Sequence, residues 1–159
     1  VVRRLAIGFA LLLLAAPTAS ARSFEMPFGT GDLVFVADEE WETSLSIRRV
    51  NPPATITAPR ELAKGVTCLD RRPLHTCLRV QKRGERVTHI TWTVRRPLRI
   101  MHMHQGAFVV EIRGARRLVD VFLSGCGDLT LQGRGSYTAD GERGAYSPKG
   151  PPTLVALEP

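Results

Sequence analysis

The chain has 159 residues, enough for one domain and too few for two of ordinary size. It carries 22 Lys and Arg against 15 Asp and Glu, a formal charge of +7, with 3 cysteines. No nucleic-acid motif accompanies that basic surplus, so a nucleic-acid partner is not expected.

The N-terminus reads as a leader. Arg3 and Arg4 form a short basic region, Leu5 to Ala16 is almost unbroken apolar sequence, and "TASA" at 18–21 supplies small residues for cleavage after Ala21. The apolar run is shorter than the about 20 residues a membrane span needs. Residues 1–21 are therefore expected to be a signal peptide, and 22–159 a single exported β domain, periplasmic or extracellular. No transmembrane span is expected after cleavage.

Charge is unevenly spread along the exported part. Residues 22–59 hold three arginines against six acids, with "DEEWE" at 38–42 the densest acidic cluster. Residues 60–117 hold fourteen basic residues against four acidic ones, and 118–159 return to three against five. Such a basic middle suits an anionic polysaccharide, a lipid headgroup or an acidic envelope protein, although a solvated basic face explains it with no ligand.

In chain order, the segments show the two-residue alternation of half-buried strands. "WETSLSI" places Trp41, Thr43, Leu45 and Ile47 on one face. "RRVNPPATITAPR", 48–60, is proline-rich and reads as a connection crossing one end of a sandwich. "APRELAKG", 58–65, suits a helical turn or two between proline and glycine. "CLDRRPLHTC" places Cys68 and Cys77 where a disulfide would close a small loop in an oxidising compartment, leaving Cys126 over; a bridge from Cys126 to one of them, or to another chain, is the alternative. "HITWTV" and "AFVVEI" alternate again, setting Trp92 with Ile90 and Val94, and Phe108 with Val110 and Ile112. "LVDVFL", "DLTLQ" and "TLVALE" complete the series.

The fold class expected is all-β: an antiparallel sandwich or meander of short strands. The C-terminal part has a glycine rhythm. Gly125 and Gly127 flank Cys126, Gly133 and Gly135 flank Arg134, and Gly141 and Gly144 follow. Short strands between such glycines suit a meander or a narrow solenoid. "SGCGDLTLQGRGSY", 124–137, with Ser124, Gly125, Gly127, Asp128 and the alternating Leu129 and Leu131, resembles the Ser-Gly-x-Gly-Asp turns of the autotransporter adhesin head domain known as the GIN domain. Residues 107–141 share that character. The resemblance implies an exported β-rich protein in a surface or envelope context, with no chemistry attached.

Chemistry has few places to sit. In "RIMHMHQG", a strand puts Leu98, Ile100, His102 and His104 on one face, with Arg99, Met101 and Met103 on the other. His102 and His104 can then meet one zinc or copper ion if other elements add ligands. His75, His89, Glu111, Asp120 and Cys126 are the candidates, Glu111 by way of a turn at Gln105–Gly106. Met101 and Met103 are soft ligands for Cu(I) on the opposite face. Catalysis lacks a signature: there is no Gly-x-Ser-x-Gly elbow and no phosphate-binding loop. The expectation is thus a non-catalytic exported binding or structural module without a cofactor. A periplasmic metal-binding protein using His102 and His104 is the alternative.

Overall fold

The computed structural model describes residues 22–82 and 89–159, so the expected signal peptide lies outside the described residues. Eleven strands follow in chain order. β1 is Ser23–Ala37, β2 Glu42–Asn51, β3 Ala54–Pro59, β4 Val66–Cys68, β5 Leu78–Lys82 and β6 His89–Val94. β7 is Leu98–Gln105, β8 Phe108–Ser124, β9 Gly127–Ala139, β10 Glu142–Tyr146 and β11 Thr153–Leu157. A 3-10 turn spans Arg60–Gly65 and a single helical turn spans Leu74–Cys77. The all-β, antiparallel class expected from alternation is what the chain adopts.

Three strands are far longer than the short ones expected: β1, β8 and β9 have 15, 17 and 13 residues. They run through both halves of a sheet bent double. One half continues as β10-β9-β1-β8-β2-β7-β4; in the other, β11 pairs β9, β3 joins β8 to β6, and β5 pairs β6. The fold-over is visible at the ends of β1. Gly125 N donates to Arg22 O at 2.9 Å and Asp38 N donates to Cys126 O at 3.1 Å, so both ends meet the β8–β9 connection. Side chains from both halves, among them Phe24, Leu45, Ile100 and Leu118 with Phe35, Ile56, Trp92 and Ile112, form one buried cluster.

Bending has a local cause. Gly29 pairs Leu118, Gly31 pairs Ala115 and Leu33 pairs Ile112, so two residues of β1 are twice matched by three of β8. Each extra residue is a bulge, which curves the strand and re-aims the side chains beside it. The buried positions of β8 show it: after Phe108, Val110 and Ile112 the step lengthens to Ala115, Leu118 and Val121 before returning to Leu123. Gly114 and Asp120 take positive φ within those steps. β2 is irregular too, since Ile47 pairs Ile100 but Val50 pairs Leu98.

Several expectations change here. The proline-rich 48–60 is mostly strand: it ends β2, turns at Pro52–Pro53, and forms β3 between β6 and β8. Threonine and isoleucine in "ATITA" alternate there, with Ile56 buried. The glycine-rich end is one long strand with two short antiparallel neighbours, β10 and β11, on β9. The Cys68 and Cys77 sulfurs stand at disulfide distance, 2.08 Å, tying the end of β4 to the helical turn.

Two measurements test this packing. Gly133 has φ +134, and a methyl built on it runs into the Thr30 carbonyl of β1; Gly106 has φ +99 with nothing near. Chemical denaturation should therefore show Gly133→Ala costing about 3 kcal/mol or more, from strain and clash together, and Gly106→Ala only about 1 kcal/mol. Equal costs would place the tight approach of β9 on β1 elsewhere. Replacing Cys68 and Cys77 by serine together should lower stability by about 2–3 kcal/mol, the loop-closure value for so short a loop.

Candidate functional site

Two polar constellations emerge on this frame. The first grows from arginine pairs. The basic residues that look scattered in the sequence include the doublets Arg48–Arg49, Arg71–Arg72, Arg95–Arg96 and Arg116–Arg117, and all eight are exposed. In a regular strand, consecutive side chains take opposite faces, so one arginine of each pair would enter the core. None does, because each pair sits where alternation breaks. Arg48–Arg49 and Arg116–Arg117 lie in the bulged steps of β2 and β8. Arg71–Arg72 follow β4, and Arg95–Arg96 lie in the β6–β7 turn.

Register then gathers three of the doublets. Cys68, Leu98, Val50, Leu118 and Gly29 form one row across β4, β7, β2, β8 and β1. Arg71–Arg72, Arg95–Arg96 and Arg116–Arg117 lie just beyond that row on the same side. Leu69 N donates to Pro97 O at 3.1 Å, which holds the β4 and β6–β7 turns together there.

The acids at this end do not neutralise it. Asp70 pairs with both Arg72 and Arg96, at 3.4 and 3.3 Å. Arg48 pairs with Asp120 at 2.7 Å, and Arg113 of the neighbouring bulge pairs with Asp32 and Glu111. Among the described residues Arg49, Arg116 and Arg117 have no ion pair. Arg117 instead lies over the ring of Phe28, 5.3 Å from its centroid, a cation–π contact that holds the guanidinium in place. Phe28 is itself 46% exposed.

A cleft of about 530 Å³ opens between these groups, lined by Phe28, Thr30, Asn51, Pro52, Pro97, Arg116 and Arg117. No carboxylate lines it. The Asn51 Oδ1 is buried and has no hydrogen-bond partner among the described residues. Two guanidinium groups thus line the cleft, a side-chain type whose planar fork matches a carboxylate, sulfate or phosphate.

The second constellation is the histidine pair. His102 and His104 do share a face, with ring centroids 5.8 Å apart and planes within 14°. His102 is 8% exposed, in line with the buried Leu98 and Ile100. Met101 and Met103 are exposed on the opposite face, as alternation requires. What meets the imidazoles is Phe108, edge-on to both at 5.5 and 5.2 Å. Burial lowers the His102 pKa below the ordinary imidazole value, the neighbouring His104 lowers it further, and Glu61 of the 3-10 turn opposes them.

The expected further ligands go elsewhere. Glu111 does not reach the histidine face: it alternates with the buried Phe108, Val110 and Ile112, so it turns to the opposite side of β8 and bonds to Arg113 there. Asp120 pairs with Arg48. Cys126 is buried; burial, with Asp38 nearby, raises its pKa and makes it a poor nucleophile. Among the described residues no three His, Cys, Asp or Glu side chains are grouped to hold a metal ion. Zinc sites use three or four protein ligands, so a donor set of two imidazoles is short of that requirement.

Sequence reasoning put Phe108 on the buried face, but it did not place Phe108 or Glu61 beside the histidines or Phe28 at the arginine end, and it missed the arginine doublets as a feature. The doublets were the legible signal, because two adjacent arginines within an alternating strand demand a bulge. Among the described residues no helix is long and apolar enough to cross a membrane. No protein-family model, curated protein or solved structure matches the chain.

The buried imidazole makes stability depend on pH. With its pKa lowered in the folded state, His102 binds fewer protons folded than unfolded below about pH 6.5. Stability should fall as pH drops through that value and continue to fall until the folded form also protonates. Denaturation at pH 7 and pH 5 should show His102→Phe losing less stability over this window than the natural chain. An identical pH slope in both would remove His102 as the cause.

Proposed function

We propose that the chain is an exported, non-catalytic β-rich binding module whose contact surface is the arginine end. The observation that carries this reading is the bulge at Arg116–Arg117. It turns two consecutive guanidinium groups outward beside a cleft free of carboxylates, with no ion pair among the described residues. Exposed arginines usually find acids on the same surface, and the neighbouring Arg48 and Arg113 do. Two left unpaired over a cleft leave charge for a partner. Export is supported by the leader-like sequence of residues 1–21 and by the Cys68–Cys77 pair, since such bridges persist in oxidising compartments.

The alternative reading, a periplasmic protein binding zinc or copper through His102 and His104, rests on the pairing of the two imidazoles and on the buried Nε2 of His102, which has no hydrogen-bond partner among the described residues. Its short donor set ranks it second.

One pair of measurements separates the readings. Retention on a sulfated resin should fall steeply with salt, and Arg116→Ser with Arg117→Ser should elute well before the natural chain while melting at nearly the same temperature. Retention unchanged by the double substitution would overturn the arginine reading. A rise in melting temperature with stoichiometric zinc or Cu(I), lost in His102→Phe, would instead establish the metal reading.

A further inference from the structure

We infer that the ligand of the arginine end is a linear acidic polysaccharide, with uronate-type sugars, that lies across the strands. This rests on the arginine end being the contact surface. One wall of the cleft is basic, with Arg116 and Arg117 of β8; the other is Pro97 of the β6–β7 turn, and next to it in the chain Arg96 shares with Arg72 the single carboxylate of Asp70. Between the walls lie Asn51 and Pro52 at the end of β2. β8 and β7 are separated by β2 alone, so the walls are two strand spacings apart, roughly 10 Å. That is about the length of two sugar rings, and a free anion would touch only one wall. A chain carrying a carboxylate on successive or alternate sugars reaches both.

The lining between the walls also suits a sugar ring. Phe28, Pro52 and Pro97 present flat apolar groups, while Thr30, Asn51 and the two arginines present polar ones. A pyranose has the same mixture, with C–H faces and a hydroxylated rim. Ligand sites generally combine apolar walls with a few placed polar groups in this way. A bilayer surface fits less well. It would use arginines and large apolar side chains in one plane. Phe28 and Leu69 are exposed at the arginine end, but the exposed Met101, Met103 and Phe122 lie level with Ser44 and Ser46, on the other side of the row that bounds it.

The test compares polyuronate oligomers of increasing length with a single uronate, inorganic phosphate and phosphatidylglycerol vesicles, by calorimetric titration of the purified chain at low salt. Affinity should rise by about tenfold or more once an oligomer is long enough to span both walls, because the second contact becomes intramolecular. Arg117→Ser and Arg96→Ser should each abolish most of that gain while leaving the melting temperature nearly unchanged. Anion binding that depends on Arg116 and Arg117 but gains nothing with length would overturn the polysaccharide and leave the arginine end standing as a binding surface. Vesicle binding without polyuronate binding would overturn it in favour of a lipid surface. No binding to any of these anions would overturn both readings together.

Discussion

The structure depends on a mismatch of length. Between Gly29 and Leu33, β1 advances four residues while its partner β8 advances six, from Leu118 to Ile112. Two hydrogen-bonded strands can keep company over unequal lengths only if the longer one bulges, and a bulge curves the strand that carries it. Because β9 follows β1 through the same region, the curvature passes to three strands and the sheet folds over itself. Glycine makes the approach feasible. Gly31 and Gly133 pair across β1 and β9, both at positive φ, and neither has room for a methyl.

The surface charge follows from the same irregularity. A guanidinium that entered the core would be desolvated without a partner, at a cost that no local packing would offset. Arg116–Arg117 and Arg48–Arg49 avoid this because the bulged steps turn both members outward. Bulge and doublet thus support one another: the extra residue is tolerated because both side chains want water. The neighbouring bulge differs in an instructive way. There the Asp32 carboxylate accepts from Gly114 N at 2.7 Å and from Arg113, which closes that site internally. The Arg116–Arg117 bulge has no such carboxylate, and Phe28 takes its place beneath Arg117. Charge there is positioned but not cancelled.

The histidine pair is governed by burial more than by charge. His102 occupies an inward position of β7 in line with Leu98 and Ile100, and its ring contacts Phe108. An imidazole in such a place is harder to protonate, since desolvation and a second imidazole both oppose it. Thr43, opposite His104 on β2, is fully buried as well, and its hydroxyl has no partner among the described residues. Polar side chains therefore cluster at one rim of the core, between the end of β7 and the start of β8.

Away from the bulges, which side of a strand is buried was legible from alternation alone. His102 in and Met103 out, Ile112 in and Glu111 out, Leu129 in and Thr130 out all follow from a period of two, because covalent geometry fixes it. The Cys68–Cys77 pairing was legible for a related reason: so short a segment between them keeps the two within reach. Strand partners and strand lengths were not. Nothing in "RRVNPPATITAPR" shows that its second half pairs with β6 and β8, since its strand partners lie 30 to 58 positions away. Glu111, which adjacency in sequence placed near the histidines, is turned away from them by the alternation that buries Val110 and Ile112 beside it. The convergence of three arginine doublets at one end was decided only by register among β4, β7, β2, β8 and β1. A chain's local pattern sets the face each residue turns; pairing between distant segments sets which faces become neighbours.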